Sequence, residues 1–76
     1  MKAHVLIKTR PGEVREVVRQ LRKTESGVEA HMTFGPYDAV AVLESPNLSG
    51  LGTLIASAIQ PVPGLEQTLT CVAVDI

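Results

Sequence analysis

The chain has 76 residues, enough for one domain and no more. Its formal net charge of −1 lacks the basic excess of a free-standing nucleic-acid binder. The single cysteine, Cys71, excludes an internal disulfide and a cysteine metal cluster and fits a reducing cytoplasm, and no apolar run approaches the ~18 residues of a membrane span.

The N-terminal residues enter an alternating pattern at once, and their apolar run is too short for a signal peptide. The chain reads as complete, a single unit over residues 1–76. Ala3, Val5 and Ile7 alternate with His4, Leu6 and Lys8, the period of a first strand. Pro11-Gly12 breaks it. From Glu13 to Lys23 the period becomes helical: Val14, Val17, Val18 and Leu21 fall on one stripe. Glu13 and Glu16 in the first turn, with Arg22 and Lys23 in the last, suit the helix dipole.

Gly27 ends the link. Val28, Ala30, Met32 and Phe34 then alternate with polar residues as a second strand. Gly35-Pro36-Tyr37-Asp38 has turn chemistry, and Ala39–Glu44 follows as a third strand, paired with the second in a hairpin. Ser45 or Asn47 can cap a second helix. Its stripe is Leu48, Leu51, Leu54, Ile55, Ala58 and Ile59. Gly50 and Gly52 imply a frayed or closely packed start, because glycine costs a helix about 1 kcal/mol against alanine. Pro61 stops it, Pro63-Gly64 turns the chain, and Glu66 to Asp75 reads as a fourth strand. The order β-α-β-β-α-β, with right-handed crossovers, predicts an α+β ferredoxin-like domain: a four-stranded antiparallel sheet with both helices on one face.

Only Phe34 and Tyr37 are aromatic, so the core has to be aliphatic and small. A domain of this size buries only about 60% of its unfolded surface. The sheet face away from the helices should be polar in a soluble monomer. Instead, the third strand is apolar on both faces, at Ala39 and Ala41 and at Val40 and Val42; so is the fourth, with Val72 and Val74 on one face and Leu69, Cys71 and Ala73 on the other; and Leu6 stands opposite Val5 and Ile7. A patch of this kind marks an interaction surface, and stacking two sheets would bury it. The expectation is a homodimer through the open face.

Catalytic chemistry has weak support. Cys71 sits mid-strand among apolar neighbours, where a thiol is expected to be an inert core residue. His4 and His31 lie on strands that do not neighbour each other in this fold, and no His pair has metal-ligand spacing. No catalytic residue, metal or cofactor is expected. Arg15, Arg19, Arg22 and Lys23 line one side of the first helix, a possible anion face. Glu13, Glu16 and Glu25 dilute it, no aromatic interleaves to stack bases, and a solvated face is the favoured reading. Gly50-Leu51-Gly52 is not a phosphate loop, since the strand before it and a third glycine are missing. The hairpin turn offers more. Asp38 could meet an ammonium group, and backbone N–H groups beside Gly35 could receive a carboxylate, the two charged ends of a free amino acid. A plain hairpin turn is the bland alternative. Thr68 and Thr70, two apart, share one face of the fourth strand as ligand contacts or as ordinary β-branched residues.

Three stretches in order carry a family resemblance: Val5-Leu6-Ile7-Lys8 before Pro11-Gly12; Thr33-Phe34-Gly35-Pro36-Tyr37-Asp38; and Ile59 to Thr70, with Pro63-Gly64 and Thr68-Leu69-Thr70. Together they resemble the effector-binding RAM domain (regulation of amino-acid metabolism) of Lrp/AsnC-type transcriptional regulators, over nearly the whole chain. The resemblance implies dimers stacked sheet to sheet, rings of dimers, and a free amino acid bound between dimers. Carried over by motif, Gly35, Tyr37, Asp38, Thr68 and Thr70 would contribute to that site, with Pro36 at a variable position. The Gly50-Leu51-Gly52 run is richer in glycine than the family pattern. Full-length members carry an N-terminal helix-turn-helix; a start at Met1 leaves no room for one. A stand-alone module is therefore expected, without direct DNA binding, acting by itself or with full-length relatives. A small dimeric enzyme of monooxygenase or isomerase type and a ligand-free assembly module are the competing readings.

Overall fold

The computed structural model describes residues 1–24 and 28–74. The expectations placed on Glu25, Gly27 and Asp75 lie outside the described residues. The elements are β1 (Lys2–Thr9), α1 (Val14–Arg22), β2 (Glu29–Met32), β3 (Ala39–Glu44), α2 (Leu48–Leu54) and β4 (Leu65–Val72). A π-helical turn, Ile55–Ile59, continues α2. The strands form one antiparallel sheet in the order β2-β3-β1-β4. This is the ferredoxin-like arrangement the sequence implies.

Alternation decides which side chains are buried. Ala3, Val5, Ile7 and Thr9 of β1 are buried, as are Ala39, Ala41 and Leu43 of β3. They meet Val17, Val18 and Leu21 of α1 and Leu51, Ala58 and Ile59 of the second helical segment. Among the described residues, every buried side chain of this core is Ala, Val, Leu or Ile, and the one buried polar residue is Thr9. Asn47 caps α2 by accepting the Gly50 N–H at 2.7 Å. A Cβ at Gly50 would collide with the Ser45 hydroxyl and crowd Asn47 Oδ1. The glycine is there because the cap packs against it, which is the closely packed start expected.

Four expectations change. β2 ends at Met32, not Phe34: Met32 is half-exposed and Phe34 fully so. The hairpin is closed instead by Thr33 N–H to Asp38 O at 3.0 Å and Thr33 Oγ1 to Tyr37 O at 2.8 Å. β4 runs from Leu65 to Val72, with Ala73 N–H still donating to Lys2 O. Leu48, on the expected stripe, opens the first turn of α2 and is exposed. Cys71 is exposed, not in the core. It pairs with His4 across the ladder and so shares the face opposite the helices.

Candidate ligand-binding site at the hairpin end of the sheet

β1 runs between β3 and β4, so one residue of it touches both halves of the predicted site. Ile7 pairs with Ala39 on one side and with Thr68 on the other. Asp38 and Thr68 therefore stand on opposite flanks of β1, two strand spacings apart, or about 10 Å. Thr70 is a step further along, opposite Val5. Both threonines lie on the helix-side face, Thr68 half-buried and Thr70 exposed.

The hairpin places the other three residues. Gly35 has φ +139, a value L side chains rarely adopt, which lets the turn after Phe34 reverse. The Lys8 ammonium lies 5.8 Å from the centroid of the half-buried Tyr37 ring, close enough for a cation–π contact. The Asp38 N–H donates to Ile7 O at 2.8 Å. Asp38 Oδ2 accepts the Thr9 N–H at 2.9 Å, with the Thr9 hydroxyl at 3.4 Å. The carboxylate thus staples the end of β1 to the hairpin. Its other oxygen, Oδ1, has no partner among the described residues.

A cleft of about 360 Å³ opens here, lined by Lys8, Thr9, Arg10, Gly12, Asp38 and Glu66 among others. Of the five residues predicted from sequence, it includes Asp38 alone. Hydrogen bonds join none of the five to one another among the described residues. Lys8, Arg10 and Glu66, which sequence reasoning did not single out, set the cleft's charge. Arg10 reaches Glu13 at 3.9 Å across an exposed pair, which in water contributes little. The signal that could have found the wall was Arg10-Pro11-Gly12. Gly12 turns the chain at φ +82, and Arg10 N–H bonds Gly64 O at 2.9 Å, bringing the start of β4 beside the end of β1.

Strand order and two helices on one face define a ferredoxin-like domain, with a charged cleft at the hairpin end. The Lrp/AsnC ligand binding domain matches residues 2–76, and the chain belongs to that family. An HTH-type transcriptional regulator, FL11 of Pyrococcus abyssi, is 35% identical over 72 residues, which are 95% of this chain and 47% of that protein. The chain thus spans about half the length of the curated relatives it matches. The crystal structure of hypothetical protein PHS023 from Pyrococcus horikoshii superposes with TM-score 0.85 at 29% identity, covering 99% of this chain and 90% of that one. The transcriptional regulator NMB0573 of Neisseria meningitidis, solved as an L-Met complex, shares the fold at TM-score 0.79 and 13% identity, covering 97% of this chain and 49% of that one.

Proposed function

We propose that this domain senses a free amino acid and assembles through its open sheet face, as the effector-binding part of transcriptional regulation in the cytoplasm. The observation that carries the first half is Asp38. It is half-buried beside the charged cleft with Oδ1 unengaged among the described residues, in a fold shared with NMB0573, which was solved with L-Met. An amino-acid ammonium meets that oxygen, and Arg10 or Lys8 receives the carboxylate. Gly35 and Tyr37 shape the hairpin wall. Thr68 and Thr70 stand across β1 and reach the same ligand only with help from a second copy, so the site is completed between subunits.

Assembly rests on the open face. Leu6, Val40 and Val42 there are half-buried, and Leu69 is 48% exposed. A second sheet stacked on it removes that surface from water. Dimers so formed build a ring, with effectors between dimers that favour the assembled form by differential affinity. DNA contact then comes from Lrp/AsnC-type partners that carry a DNA-binding domain. Catalysis is not part of this reading, because the space between helices and sheet is lined by aliphatic side chains.

A ligand-free assembly module is the second reading, favoured by the Thr9 bonds that already engage Asp38 Oδ2. A thermal-shift screen against the free amino acids separates the two. Stabilisation by one or a few of them, lost in Asp38→Ala, is expected. A flat screen would leave the assembly module.

A further inference from the structure

A second cavity lies apart from the hairpin-end cleft, in the groove between α1 and the edge strand β2. It holds about 510 Å³, a size typical of small-molecule sites. Val18 and Met32 form its apolar part, and Arg15, Arg19, Arg22 and His31 stand around them. The three arginines follow one another at i, i+4 and i+7 on α1, so they share one side of the helix.

They are not equivalent. Arg22 donates its Nε to Ala30 O of β2 at 2.9 Å. That bond holds the guanidinium across the groove and leaves its two terminal nitrogens for an acceptor. Arg15 has no ion-pair partner among the described residues. Arg19 meets Glu16 at 2.6 Å in a solvent-exposed pair, a contact weak enough for a stronger anion to displace. His31 Nε2 lies 3.1 Å from Glu29 Oε1. Among the described residues, Glu16 alone engages one of these guanidiniums, and Glu29, opposite Val42 on the face away from the helices, is occupied by His31.

We propose that this groove binds an organic phosphate monoester, its phosphate on Arg15, Arg19 and Arg22 and its organic group on Val18 and Met32. A phosphate monoester carries about −1.5 to −2 charge at neutral pH and three acceptor oxygens. Guanidinium forks match phosphate oxygens two at a time. A carboxylate offers one charge and two oxygens, and satisfies three arginines less well. Met32, unbranched and half-exposed, adapts to the flat or irregular group attached. The site shares no residue with the amino-acid reading above and does not depend on it.

The test is amide NMR of the full chain titrated with phenyl phosphate, inorganic phosphate and benzoate in turn. Phenyl phosphate is expected to give saturable shifts at Arg15, Val18, Arg22, His31 and Met32, and to bind about tenfold tighter than inorganic phosphate or benzoate. Arg22→Gln and Arg15→Gln should each weaken it by about tenfold, while Gln67→Ala, exposed on the far edge strand β4, leaves it unchanged. Arg15 makes no bond that the fold needs among the described residues, so Arg15→Gln decides the matter if Arg22→Gln unfolds. No saturation at millimolar phenyl phosphate, equal binding of all three anions, or undiminished binding by Arg15→Gln would overturn the proposal.

Discussion

The two edge strands of this sheet are finished in opposite ways. β2 is short, has Ala30 buried under α1, and has its outward Ala30 carbonyl covered by Arg22. β4 is twice as long, and not one of its residues is fully buried. Leu69 is 48% exposed and Val72 37%. An edge strand that is short and covered resists further pairing; a long apolar one invites it. The difference marks where the proposed second copy would sit. The β2 side is closed by the chain itself, whereas β4 and the open face beside it stay uncovered in one chain.

The contrast can be broken most severely from the covered side. Ile7→Ala or Leu21→Ala, at positions with no exposed surface, should cost about 2–5 kcal/mol in urea denaturation, most of what a domain this small has. On the open side, Leu6→Asp should leave the secondary structure intact by circular dichroism. It should still dissociate the proposed dimer in light scattering, because it forfeits part of the roughly 1.5–3 kcal/mol that fully burying a leucine contributes and adds a charge that stacking would desolvate. Asp38→Ala should lower the melting temperature of the free domain by the loss of about 1.5 kcal/mol, since the Thr9 N–H then lacks its acceptor. Asn47→Ala removes a helix cap and should cost about 1 kcal/mol, with no change in mass.

The smallest effect belongs to Glu16. Its carboxyl is held below the ordinary 4.5, first by the Gln20 amide and then by Arg19. A lowered folded value means its contribution is present above pH 4.5 and is lost as pH falls through the folded value. Glu16→Gln should therefore melt slightly earlier than the parent at neutral pH. The gap should close in acid melts below pH 4.5.

How much of this was legible in the sequence depended on whether the local pattern and the tertiary neighbours agreed. β3 was read to the residue, because Ala39, Ala41 and Leu43 alternate and the helices above them bury that face. The α1 stripe was equally plain. The alternation through Met32 and Phe34 misled. The period continues in the sequence, but Thr33 closes the hairpin loop with its own side chain, and the tip projects into solvent. Cys71 misled for a related reason. Its neighbours are apolar, and apolar neighbours mean core only where something covers them. The π-helical turn at Ile55–Ile59, closed by Gln60 N–H to Ile55 O, has no signature in an aliphatic run. At the candidate site, the hairpin residues announced themselves through Gly35 and Asp38. Lys8, Arg10 and Glu66 did not, because only the pairing of β1 with β4 brings them together.

The most direct test of the central claim is the molar mass of the domain in solution, by sedimentation equilibrium, with and without the amino acid that stabilises it. One chain weighs 8.1 kDa. A mass of twice that or an even multiple, rising with ligand and falling to a single chain in Leu6→Asp, is expected. A parent domain that sediments at 8.1 kDa with its open face in water, ligand or no ligand, would contradict the account.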